Sequence, residues 1–358
     1  MMKKPYKCNL LPLDIEYTEN MIRLLYEASV KYGEYKGKLD LSGIDKHFFL
    51  MSIIKKDGYK STQIEGTAIS ESELFTIEYK KEISDDYKEI INYIQAIKYG
   101  TKKIKEDGKI TIELINYMHK LLLSSVRGEK KNPGEIRKIQ NWIGPFGQGI
   151  ESASFIPPVP EEVLDLMSNL TEYMNTSYNV PDLIALAIAH AQFETIHPYR
   201  DGNGRLGRAL IPLQLAVISD DEPILFISEI IEQYKPSYER GLINSRKNNI
   251  NSFIEFFLQC VIDQSYSYSK RIEMINDLKN IDLEIMFSII KNDNAKKLYN
   301  LLLEKVVITS SDVVKHLGVS LQTARVYINN LIKIDVLSKV TNEHRYVYTK
   351  LFNIFVGK

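Results

Sequence analysis

His197-Pro198-Tyr199-Arg200-Asp201-Gly202-Asn203-Gly204-Arg205-Leu206-Gly207-Arg208 is the stretch that organises the chain. Residues 183–196 before it are rich in Ala, Leu and Ile and read as a buried helix. Residues 206–218 after it are again apolar at helical spacing. Pro198 and the glycines at 202 and 204 interrupt the pattern. The stretch is therefore predicted to be a loop between two helices, with its end forming the first turn of the second.

That position has a chemistry. The first amides of a helix lack intrahelical partners and carry the positive end of the dipole. Gly202 and Gly204 let a ligand approach the backbone with no Cβ in the way. The loop thus reads as an anion cradle, above all for phosphate. Arg205 and Arg208 lie three apart, share a face of the first turn and can each fork onto phosphate oxygens. Asp201 is a lone carboxylate beside the cradle. A Mg²⁺ held by one carboxylate and substrate phosphates needs no further protein ligand. His197 suits general-base work near neutral pH. Singly, each feature has a plainer reading: a turn, a structural histidine, a solvated basic face. Their coincidence within one short stretch favours a site.

The stretch resembles the Fic family motif, His-Pro-Phe-x-(Asp/Glu)-Gly-Asn-Gly-Arg-x-x-Arg, with Tyr199 where Phe is usual. The resemblance implies a helical core and transfer of AMP from ATP to a protein hydroxyl. By matched positions it makes His197 the base, Asp201 the Mg²⁺ ligand and Asn203 an α-phosphate contact. Gly202 and Gly204 supply nest amides, Arg205 and Arg208 bind the distal phosphates, and Tyr199 and Arg200 belong to the same ATP-binding stretch. A buried Tyr199 hydroxyl would need a partner. The complete Gly-Asn-Gly favours AMP transfer over the kinase-like branch of the family.

Ser61-Thr62-Gln63-Ile64-Glu65-Gly66 is the second informative stretch. Ser61 and Glu65 are i,i+4 and face the same way on a helix, and Gly66 is a natural residue just past its end. Alone this is an ordinary helix end. Beside the Fic motif it resembles the inhibitory motif (Ser/Thr)-x-x-x-Glu-(Gly/Asn). The resemblance implies an inhibitory helix over about residues 51–66, with Glu65 in the place of the γ-phosphate and paired with Arg208.

The remainder fills in around these two stretches. The chain has 358 residues, 44% of them apolar, enough for a sizeable core. Lys plus Arg equals Asp plus Glu at 46 each, so the whole chain has no bias toward nucleic acid or membrane. Residues 291–358 differ, with a net charge of +6. Two cysteines exclude a disulfide framework, and no apolar run is long enough to span a bilayer. The expectation is a soluble cytoplasmic protein.

Residues 17–32 read as a helix stopped by Gly33, and 71–99 as another, with 102–109 a charged connection. Residues 112–123 form a helix on which His119 reads as structural. Glycines and prolines punctuate residues 132–160, where 139–143 and 153–156 are predicted as short strands. This stretch resembles the family's flap, about 134–158, with Gly134-Glu135-x-Arg137 and Ile143-Gly144 as its lead-in. A flap edge can register an extended target segment by strand addition. His190 and His197 are seven apart; an internal helix pair is preferred over zinc, since no third ligand is at hand. Residues 229–246 read as a helix broken near Pro236. Tyr238 falls where the family often lines the adenine side, with Tyr234 as a competing choice.

From residue 294 the pattern is helix, a second helix after Ser310-Ser311, a third over 321–336, and a hairpin over 338–349 with Asn342-Glu343 at its tip. This reads as a helix-turn-helix with a wing, and Gln322, Arg325 and Asn329 would lie on the exposed face of its recognition helix. The expected fold is mainly α: a Fic-type helical core with a short β-hairpin flap, plus a C-terminal winged helix-turn-helix domain. The expected domains are an N-terminal helical region at 1–100, a catalytic core at 101–280 with the motif loop at 197–208, and the winged-helix domain at 291–358. The expected function is AMP transfer, autoinhibited by Glu65, with removal of AMP by the same groups as a further activity. A nucleotide-sensing DNA-binding regulator is the alternative. Expected partners are ATP with Mg²⁺, an unidentified target protein at the flap, duplex DNA through 291–358 and a further copy of the chain; a membrane is not among them.

Overall fold

In the computed structural model the described residues are 4–67, 69–71, 84–145, 147–176, 179–340 and 344–356. The chain opens with α1 (Glu19–Leu41) and α2 (Lys46–Ile64), followed by α3 (Asp85–Asp107), α4 (Ile112–Leu122) and α5 (Pro160–Asn175). Then come α6 (Asp182–Ile196), α7 (Asn203–Ser219), α8 (Ser228–Gln233), α9 (Lys235–Ser245) and the long α10 (Ile250–Ile289). Two structural units divide the chain. The first is Met1–Gly33, Asp57–Ile69 and Ile83–Tyr266; the second is Glu34–Lys56, Ser70–Glu82 and Ser267–Lys358.

In the first unit, α6 is apolar on every face, and all of its residues from Leu183 to Ile196 except Ala185 are buried. Such a helix must be covered all round. α5, α7 and α9 supply the cover, while α3 and α4 pair with each other and both reach α7. The loop joining α6 to α7 therefore leaves from the centre of the unit. The second unit holds an aromatic cluster in which Tyr35 and Phe49 pack on Tyr268, and Phe48 and Phe49 on Phe355. Within it α11 (Asn294–Glu304), β1 (Val307–Thr309), α12 (Ser310–Leu317), α13 (Leu321–Lys333), β2 (Ser338–Lys339), β3 (Arg345–Val347) and α14 (Thr349–Val356) follow in order. The three strands form one antiparallel sheet in the order β1-β3-β2.

Local chemistry explains where the elements begin and end, including where the sequence reading was off. α1 runs through Gly33 rather than stopping there, since a glycine in a helix interior costs only about 1 kcal/mol. α3 continues over residues 102–107 and ends at Gly108, whose left-handed φ of 67° closes the helix by a bond to the Ile104 carbonyl. The break after α8 falls at Tyr234, because Pro236 sits in the first turn of α9, where no amide donor is needed. α10 passes residue 280 without a break and ends at Ile289. Among its described residues the flap is a loop closed by a single antiparallel bridge, Ile143 with Phe155, instead of two strands. α12 starts at Ser310 rather than after Ser311 and is capped by Thr309: its hydroxyl accepts from the Asp312 amide at 3.1 Å, and the Asp312 carboxylate accepts from the Thr309 amide at 2.8 Å. The expected hairpin tip at Asn342-Glu343 and most of residues 71–83 lie outside the described residues. Among the described residues no helix is long and apolar enough to cross a membrane.

Two glycines test this packing. A Cβ on Gly100 would lie 2.5 Å from Leu213 Cδ1 and 2.9 Å from Met118 Sδ, so α3 approaches α7 and α4 through that position. A Cβ on Gly33 meets nothing. Gly100→Val is expected to lose about 1–3 kcal/mol by overpacking, and Gly33→Ala to gain about 0.5–1 kcal/mol. Urea denaturation of the two variants checks both signs.

Candidate active site

His197 ends α6 in the left-handed region, φ 49° and ψ 61°, with its amide bonded to the Phe193 carbonyl. Pro198 cannot extend the helix, and the chain turns into a loop that Asn203 closes. Its Oδ1 accepts from the Tyr199 amide at 2.9 Å and its Nδ2 donates to the Tyr199 carbonyl at 2.8 Å. Asp201 Oδ1 accepts from the Gly202 amide at 2.7 Å, and Gly202, φ 75°, starts α7. The amides that follow on α7 are the orphan donors of a helix start.

The loop is held from two sides. From the foot of the flap, Arg137 donates through its amide to the Pro198 carbonyl at 2.9 Å and through Nε to the His197 carbonyl at 3.0 Å. Its Nη2 donates to the carbonyls of Pro158 at 2.6 Å and Ile196 at 3.3 Å. Asn141 Nδ2 donates to the carbonyls of His197 and Tyr199, at 3.1 and 2.9 Å. From α4, His119 Nε2 donates to the Asp201 carbonyl at 2.9 Å, and the Gly134 amide donates to its Nδ1 at 2.8 Å. The His119 ring stacks on Tyr199 with centroids 3.8 Å apart. The Tyr199 hydroxyl donates to Asn116 Oδ1 at 2.6 Å, which is the partner that a buried tyrosine at this position requires.

Arg208 faces the end of α2. Its Nε donates to Ser61 Oγ at 2.9 Å, and its Nη2 donates to the Ser61 carbonyl at 2.9 Å and to Glu65 Oε1 at 2.7 Å. A Cβ on Gly204 would overlap Glu65 Oε1, so the carboxylate stands directly over the first turn of α7. Burial raises the Glu65 pKa, but the Arg208 charge outweighs it and the net shift is downward. Burial conversely lowers that of Arg208, and Glu65 carries it above the usual value. The Glu65 side chain still keeps 37% of its exposure, against 1% for Arg208.

Arg205 has a different setting. It is buried, with Nη1 3.0 Å from Glu89 Oε2 and Nη2 3.7 Å from Asp201 Oδ1. Glu89, on the inner face of α3, also accepts from Thr67 Oγ1 at 3.2 Å and pairs with Arg127 Nε at 3.4 Å. Sequence reasoning missed Glu89 altogether. Its one trace is a lone carboxylate on a helical face shared with Tyr87, Ile90 and Tyr93.

Tyr238 is buried on α9, with its hydroxyl 2.9 Å from His190 Nε2 and its ring among Phe253 and Phe256. Tyr234 is exposed, as is Arg200. Burial, with the Arg246 charge second, pushes the His197 pKa down to about 4; the Glu194 carbonyl and Glu65 oppose it. His197 is therefore an unprotonated base at neutral pH. Arg246 also donates to the Glu194 carbonyl at 3.1 Å and stands 3.9 Å over the Phe155 ring of the flap. Among the described residues no cluster of three or more His, Cys, Asp or Glu could hold a metal. Asp201, with 34% of its side chain exposed, fits a cation completed by phosphate oxygens and water.

Arg137 is the keystone of the loop. Arg137→Leu is expected to orphan buried carbonyls at about 1–3 kcal/mol each and to lower the urea midpoint. Arg137→Lys should rescue little, since an ammonium cannot fork onto carbonyls in several directions.

Comparison with known proteins places this geometry. Residues 109–215 match the model of the Fic/DOC family, and residues 22–102 match that of the Fic/DOC family N-terminal region. The protein adenylyltransferase Fic of Drosophila willistoni is 27% identical over 178 residues, 49% of this chain and 32% of that protein. Its counterpart from Culex quinquefasciatus is 27% identical over 210 residues, 56% of this chain and 39% of that protein. The chain thus spans between about a third and two fifths of the length of the curated relatives it matches. A crystal structure of a Fic family protein from Desulfovibrio desulfuricans G20 superposes with a TM-score of 0.61 at 20% identity, covering 93% of this chain and 97% of that one. Fic-1 from C. elegans superposes with a TM-score of 0.51 at 19% identity, covering 73% of each chain. Those structures share the fold. With the two family models matched over residues 22–102 and 109–215, together more than half of its length, the chain belongs to the Fic/DOC family.

Proposed function

We propose that the chain transfers AMP from ATP to a hydroxyl side chain of a target protein, and that Glu65 holds this activity back. The observation that carries the reading is a carboxylate of the chain itself, paired with Arg208, standing over the helix start where phosphates bind best. The names of the curated relatives support AMP as the transferred group.

In this reading ATP lays its phosphates along the α7 amides at Gly202–Gly204, with the Asn203 region against the α-phosphate. Glu65 leaves Arg208, which then takes the terminal phosphate as a fork. His197 removes the proton from the target hydroxyl. The hydroxyl oxygen bonds to the α-phosphorus as the bond to the bridging oxygen breaks, and pyrophosphate departs with the electron pair. Mg²⁺ bound at Asp201 would neutralise the charge growing on the leaving phosphates. The flap positions the target: its lead-in, with exposed Ile139 and Trp142, is an edge for an extended segment. Removal of AMP would use the same groups, with Glu65 positioning a water.

Glu65→Gly is expected to raise transfer, self-modification included, because it frees Arg208 without touching His197 or Asp201. A misplacement of about 1 Å relieved in this way is worth about 10² in rate. Initial rates with α-labelled ATP measure it. An unchanged rate makes residues 61–66 an ordinary helix end, and a lower rate favours AMP removal as the main activity. Adding His197→Ala should remove about 10²–10⁴-fold of the gain. The acid limb of kcat/KM in Glu65→Gly should sit near the depressed His197 value of about 4, so the rate holds between pH 7 and 5; a limb near 6.5 assigns the base elsewhere.

The second unit supports a second partner, duplex DNA. On α13, Gln322, Arg325 and Asn329 are exposed along one face, and Lys339 on β2 is exposed beside the expected wing. This reading predicts a gel shift of the full chain with duplex that weakens steeply with salt. No shift at low salt leaves the unit a protein-docking module.

A further inference from the structure

The geometry points to His119 as a positioning residue for the transfer reaction: its Nε2–H fixes the Asp201 peptide, and with it the carboxylate and the first nest amide. The inference rests on the AMP-transfer reading, which it deepens by adding a residue that touches neither nucleotide nor target.

His119 is fully buried on α4. The Gly134 amide donates to Nδ1, so that nitrogen carries no proton, and the ring hydrogen of the neutral imidazole is on Nε2. That hydrogen points at the Asp201 carbonyl. One tautomer satisfies both contacts, and the stack on Tyr199 fixes the ring plane. The neighbouring carbonyls of Ile196, His197, Pro198 and Tyr199 are bonded by Arg137, Asn141 and Asn203. The Asp201 carbonyl, two residues further on, is bonded by His119.

The surroundings leave this peptide little room as long as that bond exists. A Cβ on Gly202 would lie 3.5 Å from His119 Nε2 and 3.2 Å from Leu123 Cδ2. A Cβ on Gly128, φ 95°, would lie 3.1 Å from Asp201 Oδ2. The Asp201 side chain thus sits against the 123–128 turn while its carbonyl is tied to α4. Without the Nε2 donor the part-buried carbonyl loses its side-chain partner. The peptide then keeps the bond from the Gly202 amide to Asp201 Oδ1 but loses its tie to α4, so the carboxylate and that amide shift together. Those are the groups that must meet phosphate and cation together.

The test uses the full chain carrying Glu65→Gly, so that transfer can be read. Glutamine places its amide nitrogen near the position of Nε2, whereas asparagine reaches only as far as Nδ1. H119N is expected to lose about 10²-fold in the rate of label transfer from α-labelled ATP to the chain itself. Its ATP affinity by calorimetry should no longer rise when Mg²⁺ is added. H119Q should recover most of both, with a melting temperature close to that of H119N. Two results overturn the inference: both variants matching the Glu65→Gly parent, or both failing equally with equally lowered melting temperatures, which would mean that the ring acts by packing alone. A parent that transfers no label sinks the AMP-transfer reading instead. The calorimetric contrast between asparagine and glutamine then still decides the role of His119.

Discussion

A buried turn between two helices has to place every carbonyl it exposes, and that constraint shapes the site. Leaving α6 at His197 in the left-handed region directs the carbonyls of residues 196–199 and 201 out of any helix. Buried acceptors without partners are rare because each one costs about as much as a lost hydrogen bond. Here Arg137, Asn141, Asn203 and His119 take all five. The flap foot and α4 are therefore parts of the loop in an energetic sense, though far from it in sequence. The first amides of α7, which a helix start leaves without intrahelical partners, are not drawn into this network.

The same burial sets the electrostatics. Removing His197 and His119 from water disfavours their charged forms and pushes both pKa values down to about 4. For His197 this yields a base that is ready at neutral pH. For His119 it preserves the single tautomer that its two backbone partners demand. One physical cause thus serves proton transfer at one ring and fixed geometry at the other.

Much of this was legible in the sequence because it is local. The loop, the helix start at Gly202–Asn203 and the Ser61–Glu65 pair depend on short-range spacing, and the structure brings Arg208 onto both Ser61 and Glu65. The helix ends were legible only in part. Gly33 and residues 102–107 were misplaced because a glycine or a charged run weakens a helix without ending one. The strands of the flap were over-read, since hydrophobic alternation cannot tell a single bridge from a ladder. What could not be read was pairing across the chain. The Tyr238 hydroxyl meets His190 Nε2 at 2.9 Å, a contact between α9 and α6 that no local spacing announces. Glu89 carries no motif at all, and only folding brings it to Arg205.

Glu89 separates two arginines that look equivalent in the motif. Arg205 and Glu89 keep 1% and 2% of their side-chain exposure, so the pair is shut away together. Removing either partner would strand a buried charge at a cost of about 3–5 kcal/mol, which makes the pair hard to exchange. Arg208 is as deeply buried, but its partner Glu65 is 37% exposed and lies just past the last residue of α2. A carboxylate at the end of a helix can return to water while its arginine accepts another anion in the same fork. The pair with the solvated partner therefore costs less to separate than the pair with the buried one.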